Sequence, residues 1–113
     1  MFSAKHRLRH EKDIKALFAN GKSVFDAATG LKWRKNNLKE SRFAISVGVK
    51  VSKSAVRRNR IRRQLRSMIE ARLPGLAPGH DVIVIVRPAA ANLKRAELER
   101  HLVSALKKTP ILP

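Results

Sequence analysis

The sequence contains no cysteine, no tyrosine and few aromatic residues of any kind. Without cysteine, neither a disulfide framework nor a thiolate metal site is possible, so redox chemistry gives no clue to the compartment. The apolar runs are too short to span a membrane, and the basic N-terminal segment lacks the hydrophobic stretch of a secretory signal. We therefore expect a cytoplasmic protein with no membrane partner.

Acidic residues are also scarce, because 8 Asp and Glu stand against 26 Lys and Arg, for a formal net charge of +18. The acids are scattered, which argues against a catalytic metal centre built by the protein. No glycine-rich phosphate loop, nucleophile elbow or Ser-His-Asp pattern is visible. His6 and His10 have helical spacing, but only Glu11 lies near them, and we expect no metal there. We expect no catalytic residue and no small-molecule substrate.

Basic residues concentrate in residues 50–72, where nine Lys and Arg side chains accompany a single acid, Glu70. Arginine matches phosphate with two parallel hydrogen bonds and also stacks on bases, so this density favours nucleic acid over an acidic protein. A solvated helix face is the ordinary alternative. Mutual repulsion among so many like charges disfavours it, because an isolated helix would lack the anions that a nucleic acid supplies.

The same segment has the pattern of an amphipathic helix over residues 54–73. Its apolar stripe consists of Ile61, Leu65, Met68 and Ile69. At helical periodicity, Arg60, Arg63 and Ser67 project away from this stripe, while Arg62 and Arg66 lie beside it. One face of the helix is therefore predicted to pack, and the rest is available to phosphate groups.

The first half of the chain is predicted to contain one helix and two strands. Apolar residues at helical spacing indicate a helix over residues 11–20, ended at Gly21 because glycine adopts left-handed dihedral angles without penalty. A weakly patterned strand follows at about residues 24–33. Residues 42–49 alternate, with large apolar side chains on one face and Ala44, Ser46 and Gly48 on the other. The second face is small enough for another molecule's backbone to approach closely.

The second half of the chain adds a strand over residues 81–87, whose Val and Ile run is typical of a strand covered on both faces. A final helix ends near residue 108. The order of elements predicts a single-domain α+β sandwich over residues 1–113, with a mainly antiparallel sheet and flexible tails at 1–9 and 109–113. The central strand-helix-strand unit is a candidate parallel crossover, right-handed by the general rule.

One motif within the basic helix is specific. It reads Arg57-Arg58-Asn59-Arg60-Ile61-Arg62-Arg63-Gln64-Leu65-Arg66, and its lead-in is Lys50-Val51-Ser52-Lys53-Ser54-Ala55-Val56. Together they resemble the RNR signature of the bacterial ribonuclease P protein family. The surrounding elements fall in the family's order over about residues 7–108. The resemblance implies an α-β sandwich with a left-handed crossover, similar to a ribosomal-protein domain, in place of the right-handed default.

The resemblance also implies a division of labour with a large catalytic RNA, which uses Mg²⁺ bound mainly by the RNA to remove the 5′ leader of precursor tRNA. The implied partners are therefore the catalytic RNA and precursor tRNA. By position, the implied RNA-binding set is Lys50, Lys53, Arg57, Arg58, Asn59, Arg60, Arg62, Arg63 and Arg66. The implied groove for the single-stranded leader consists of Ile14, Phe18, Lys32, Ala44, Ser46 and Gly48.

Three positions depart from the family pattern. Ile14 stands where many members have phenylalanine, and Lys32 stands where a groove tyrosine occurs, so we expect weaker stacking and stronger charge contact in the groove. Lys53 occupies a place where glycine is common, which changes the loop before the helix. Arg57 and Arg58 begin the helix near the groove, and we expect them to influence leader binding more than residues farther along it do.

Several alternatives remain open at this point. Phe18 belongs to the apolar stripe of its helix and has a core role as its alternative, while Asn59 has capping of a neighbouring turn as its alternative. A small ribosomal or ribosome-assembly protein is the second functional hypothesis, and leader dependence separates it from the first. A DNA-binding module is a third, weakened because the surrounding strands do not resemble a helix-turn-helix.

Overall fold

Residues 3–113 are described by a computed structural model, which contains three α-helices and four β-strands. The helices and strands are α1 (Glu11–Asn20), β1 (Lys22–Phe25), β2 (Thr29–Lys35), β3 (Arg42–Ser46), α2 (Ala55–Arg72), β4 (His80–Val86) and α3 (Arg95–Lys107). Short 3-10 helices lie at Ala4–His6, Leu73–Gly75 and Pro88–Asn92. None of the helices in this part of the chain combines the length and the hydropathy that a membrane span requires.

The described strands form a four-stranded sheet in the order β1-β2-β4-β3. β2 runs antiparallel to both β1 and β4, whereas β3 and β4 are parallel neighbours. The predicted α+β fold with a mainly antiparallel sheet is therefore confirmed, as is the crossover, because α2 joins the two parallel strands. The left hand of that crossover stays a prediction. β4 is central, and Val82, Ile83 and Val84 are at most 2% exposed.

Each face of the sheet carries a different hydrophobic cluster. On one face, the apolar stripe of α2 packs with α3 and with Leu31, Trp33 and Phe43 of the sheet. All four residues predicted for that stripe are buried. On the other face, α1 places Leu17 against Ile83 in a smaller cluster. We call this second side, of which α1 covers only a part, the open face of the sheet.

The single strand predicted at residues 24–33 is wrong, because the chain turns back on itself there. β1 and β2 form an antiparallel hairpin whose register runs from Lys22 opposite Trp33 to Phe25 opposite Gly30. The turn is stabilised by Asp26, whose carboxylate accepts a hydrogen bond from the Ala28 backbone N–H at 3.0 Å. This local hydrogen bond of an Asp side chain is turn chemistry, which hydrophobic alternation does not detect.

The strand predicted at residues 42–49 is shorter in the structure. β3 ends at Ser46, and a turn follows in which the Val51 N–H donates to the Gly48 carbonyl at 3.1 Å. Val47 remains buried, but Val49 is 66% exposed, so the alternation beyond Ser46 does not mark a strand face. The chain leaves the sheet here because it must cross over to begin α2.

The predicted end of α1 at Gly21 is confirmed, but the predicted reason is wrong. Gly21 has φ −75° and ψ 151°, which is extended backbone open to any residue. A Cβ atom at this position would lie 2.4 Å from the Leu17 carbonyl oxygen and 2.8 Å from Leu17 Cδ1. Glycine is therefore required by close approach of the helix end, which permits β1 to begin one residue later.

Both termini, treated above as tails, make core contacts where the structure describes them. Leu8 is 4% exposed, and its N–H donates to the Phe43 carbonyl at 3.0 Å. Ile111 is fully buried, and its carbonyl accepts from the Ala77 N–H at 2.7 Å. Residues 1 and 2 lie outside the described residues. The flexible tail predicted at residues 109–113 is therefore corrected to a packed segment, because burial of Ile111 in the core stabilises it.

A buried ion pair joins the edge of the sheet to α1. Asp81 is 1% exposed and accepts hydrogen bonds from Arg42 Nε at 2.8 Å and Arg42 Nη2 at 2.7 Å. Arg42 Nη2 also lies 3.4 Å from Oδ2 of Asp13 on α1, and Asn36 Nδ2 donates to Asp81 at 2.9 Å. The hydrogen bond to Asp81 raises the pKa of Arg42. The pair therefore connects β3, β4, α1 and the loop after β2.

We expect Asp81→Asn to lower the free energy of unfolding by about 3 to 5 kcal/mol, because it leaves the Arg42 charge without its buried partner. Urea unfolding monitored by the fluorescence of Trp33, the single tryptophan, measures this loss. Glu99→Gln is the matched control, since Glu99 pairs with Arg72 at 3.1 Å on the surface. We expect a change within about 1 kcal/mol for the control. Equal losses for both variants would contradict the role given to the buried pair.

Candidate nucleic-acid interface

The segment before α2, residues 47–54, includes the first part of the lead-in and is an ordered turn. Ser54 caps the helix by accepting a hydrogen bond from the Arg57 N–H at 3.3 Å, and Ser52 Oγ accepts from the Ser54 N–H at 3.1 Å. Val51 is 7% exposed, and its side chain packs in the hydrophobic core. Hydroxyl caps of this kind stabilise a helix start. As a result, Lys50 and Lys53 are exposed on a backbone with a defined position.

Arg58 holds the lead-in against the first turn of α2. Its Nη1 atom donates to the carbonyl oxygens of Ser52 at 2.9 Å and Lys53 at 3.0 Å. The guanidinium group is therefore engaged with the protein's own backbone in addition to carrying charge. Sequence reasoning assigned Arg58 to the RNA-binding set alone, because a contact with the preceding loop does not show in helical periodicity.

Asn59 orients a neighbouring arginine. Its Oδ1 atom accepts a hydrogen bond from Arg62 Nη1 at 2.6 Å, one turn further along α2. Asn59 lies within the span of α2 and not at one of its ends, so the alternative in which it caps a neighbouring turn is wrong. The contact fixes the direction of the Arg62 guanidinium before any ligand arrives, which reduces the entropy lost on binding.

Positive charges crowd one another around Arg66. Burial lowers the pKa of the Arg66 guanidinium, and the charges of Arg62 and Arg7 lower it further. Arg7 comes from the N-terminal segment, where it forms an isolated bridge with Phe43. The positive charges of Arg62 and Arg7 therefore repel that of Arg66, and an anion such as phosphate bound nearby would reduce this repulsion.

A second basic surface lies between α2 and the start of α3. A shallow cavity of about 400 Å³ is lined by Arg60, Arg63, Gln64, Arg66, Ser67 and Arg95. Arg95 Nη2 donates to Ser67 Oγ at 3.3 Å, which draws its charge onto the α2 surface. Sequence reasoning missed Arg7 and Arg95, because both reach α2 through tertiary packing. The general excess of basic residues was their only signal.

The exposure of the predicted RNA-binding residues agrees with the predicted orientation of the helix. Arg60, Arg63 and Ser67 are exposed, whereas Arg62 and Arg66 are half-buried beside the apolar stripe. Arg57 and Asn59 are also exposed, and Arg58 is half-buried against the lead-in. The structure thus brings the α2 members of the set onto one helix, with the two lysines in the turn before it. Their contact with RNA stays a prediction.

The predicted leader groove lies on the open face, beside α1. Phe18 is 47% exposed, and Lys32 Nζ lies 5.5 Å from the centroid of its ring. The core alternative for Phe18 is therefore wrong, since Leu17 fills the core position of that turn. A cation over one face of an aromatic ring is an attractive contact that leaves the other face accessible. Phe18 and Lys32 form a single surface feature.

The remaining groove residues divide between the core and the surface. Ile14 and Ala44 are partly buried and pack against the cluster of Leu8, Leu17 and Ile83. Ser46 is exposed at the end of β3. Gly48 lies in the following turn, and a Cβ atom there would meet no other atom within 4 Å. The space over Gly48 is therefore open, and no atom of the protein itself requires glycine at this position.

Residues 3–113 contain no group of three or more His, Cys, Asp or Glu side chains arranged to hold a metal ion. The described donor set therefore does not fit a Mg²⁺ site held by the protein alone.

The sequence of this chain matches a known protein family over nearly its whole length. The family model described as Ribonuclease P matches residues 2–110. The chain belongs to the ribonuclease P protein family. It is 37% identical over 111 residues to the ribonuclease P protein component of Microcystis aeruginosa, covering 95% of this chain and 92% of that protein. The corresponding protein of Lactobacillus helveticus is 36% identical, with 89% of this chain and 84% of the relative covered.

Solved structures of ribonuclease P proteins share the fold. The protein from Staphylococcus aureus superimposes with a TM-score of 0.89 at 25% identity, covering 96% of this chain and 98% of that one. The protein from Thermotoga maritima has a TM-score of 0.83 at 28% identity, covering 91% and 96%. The resemblance stated from the RNR motif is thus confirmed. As a ribonuclease P protein, the chain is a subunit of an endoribonuclease of tRNA 5′ maturation that also contains an RNA subunit.

We expect Arg58→Lys to loosen the lead-in, because the shorter lysine side chain does not place its ammonium nitrogen where Arg58 Nη1 reaches both carbonyls. Hydrogen exchange of the backbone amides in residues 48–54 should become about fivefold faster, which corresponds to about 1 kcal/mol. Arg63→Lys is the matched control in the same helix and should leave this exchange unchanged. Unchanged protection in Arg58→Lys would show that the lead-in is held by its serine caps alone.

Proposed function

We propose that the protein binds the catalytic RNA of ribonuclease P through the arginine surface of α2 and holds the 5′ leader of precursor tRNA on the open face. The arginine surface of α2 carries the first half of this proposal, because Arg60, Arg63 and Arg66 line one shallow cavity there together with Arg95 of α3. A folded RNA supplies closely spaced phosphates, and arginine binds phosphate with charge-assisted hydrogen bonds. The RNA phosphates would therefore balance positive charges that the fold brings close together on this surface.

The second half of the proposal concerns the leader. Phe18 offers one face of its ring to an unpaired base, while Lys32 holds the other face and adds positive charge. Stacking on an aromatic side chain tolerates any base, because every base has a π-face. This suits a leader whose sequence differs from one precursor tRNA to the next. The lead-in with Lys50 and Lys53 follows β3 directly, so the groove and the arginine surface are connected along the chain.

Catalysis is assigned to the RNA subunit in this proposal. The family resemblance implies Mg²⁺ bound mainly by that RNA, where it would supply charge stabilisation for phosphodiester hydrolysis. The protein's own residues bind and orient the two RNAs. Their positive charge lowers the repulsion between the phosphate backbones, and it should therefore lower the Mg²⁺ concentration needed for cleavage.

We expect Arg62→Ala/Arg66→Ala to weaken the binding of bacterial ribonuclease P RNA. Loss of two phosphate contacts should reduce the slope of log K against log salt by about 2. Arg100→Ala/Lys107→Ala on α3 removes the same net charge and is the matched control. The fold should survive in the test variant, because two mutually repelling charges are removed.

The functional consequence is measured as 5′ cleavage of a precursor tRNA at low Mg²⁺ by the reconstituted holoenzyme. Wild-type protein and the α3 variant should restore cleavage, and the α2 variant should not. Equal salt slopes and equal cleavage for the two variants would show that net charge acts without the α2 geometry. Tight binding of ribosomal RNA with no rescue of cleavage would instead support a ribosomal role.

We expect Phe18→Ala to weaken holoenzyme binding of precursor tRNA by about 1 to 3 kcal/mol, since it removes one stacking platform. Affinity for mature tRNA, which has no leader, should not change. Phe18→Trp is the matched variant that keeps a stacking surface and should retain most of the affinity. A loss of equal size on mature tRNA would place Phe18 outside the leader groove.

A further inference from the structure

A second aromatic side chain is exposed on the sheet at a position that sequence reasoning did not assign. Phe25 ends β1 and is 49% exposed. One edge of its ring lies against Gly30, because a Cβ atom at Gly30 would be 2.5 Å from Phe25 Cδ1 and 2.6 Å from Cε1. The ring therefore lies against the sheet surface in a place that only glycine leaves free.

The strand register shows that Phe25 faces the same side of the sheet as Phe18. Gly30 lies two residues before Lys32 on β2, so both positions face one side, and Lys32 contacts Phe18. Phe25 is the cross-strand partner of Gly30 and shares its face. Gly30 is in turn opposite Ile85, which is opposite Ser46 of the predicted groove. Measured along the strand direction, Phe25 therefore lies about 7 Å beyond Lys32, which is the spacing of two successive residues on one face of a strand.

The backbone that carries Phe25 is held by side chains from other elements. Lys108 Nζ donates to the Phe25 carbonyl at 3.0 Å, and Arg87 Nη1 donates to the Asp26 carbonyl at 3.0 Å. The Asp26 carboxylate also pairs with His101 of α3. The backbone at Phe25 is thus fixed by three contacts and the ring is half exposed, so little further ordering of the backbone is needed when a ligand binds.

The surroundings of the ring indicate the chemistry of that ligand. The Arg87 guanidinium lies 5.5 Å from the ring centroid, and Lys108 lies near the same turn. The nearby carboxylate, Asp26, is already paired with His101. Ser46, at the other end of this row, is polar and exposed, so Phe25 is not part of a wide apolar patch. An aromatic face flanked by cations matches a nucleobase with its phosphate better than an apolar protein surface.

We propose that Phe25, with Arg87, is a second stacking position for single-stranded RNA and takes a base of the 5′ leader beyond the one on Phe18. The proposal rests on the leader groove of the proposed function and extends it. The pattern is the same at both positions, an exposed phenylalanine with a cation 5.5 Å from the ring centroid on one face of one sheet. Leader length then becomes a determinant of affinity.

The test uses the holoenzyme with precursor tRNAs whose leaders are lengthened one nucleotide at a time. Wild-type affinity should rise in two steps as the leader first reaches Phe18 and then Phe25. Phe25→Ala should abolish the second step only, with about a tenfold loss on the longest leader, or 1.4 kcal/mol. Fluorescence of 2-aminopurine at the corresponding leader position should be quenched by wild-type protein and not by this variant.

Control variants separate the possible failures. Leu38→Ala removes another exposed apolar side chain, 51% exposed, and should behave as wild type at every length. If Phe18→Ala loses affinity and Phe25→Ala matches wild type at all lengths, the second position is overturned and the groove stands. If Phe25→Ala loses equally on mature tRNA, the ring contacts another partner and the proposal is overturned. If wild type shows no leader dependence, the proposed function itself fails.

Discussion

The hydrogen-bonded pair of Arg42 and Asp81 is the constraint on which the rest of the structure depends. A chain with a formal charge of +18 has 8 acids, and Asp81 is almost fully buried. Its carboxylate neutralises an arginine at the junction of the two parallel strands, and that arginine reaches Asp13 on α1. Without Asp81, the largely buried guanidinium of Arg42 would keep only the more distant carboxylate of Asp13 on α1.

The placement of α1 decides what each face of the sheet is used for. α2 and α3 cover one face with a continuous hydrophobic cluster, so that face supplies most of the stability. α1 covers only part of the other face through Leu17, and it leaves Phe18, Phe25 and Ser46 exposed. Stability and binding are thereby separated onto opposite sides of one four-stranded sheet. α2 contributes to both, because its stripe packs while its arginines remain accessible.

Local patterns were sufficient for much of the fold and for the central binding element. The stripe of α2 and the covered strand β4 are encoded in short windows, where periodicity and burial agree. The hairpin turn at Asp26 was missed, since one side-chain hydrogen bond outweighs weak hydrophobic alternation there. Gly21 was placed correctly for the wrong reason, because close approach to Leu17 depends on packing that dihedral preference does not describe.

The sequence by itself determined that this protein carries a basic amphipathic helix with an RNR motif; the charge excess pointed to a nucleic acid, and the family resemblance of the motif pointed to RNA. The tertiary structure alone decided which residues join that helix. Arg7 and Arg95 reach α2 from opposite ends of the chain, and strand register puts Phe25 on the same face of the sheet as Lys32, which contacts Phe18 of α1. The physical reason is that charge and periodicity are properties of a segment, whereas repulsion between distant arginines and the exposure of a ring arise only when segments pack.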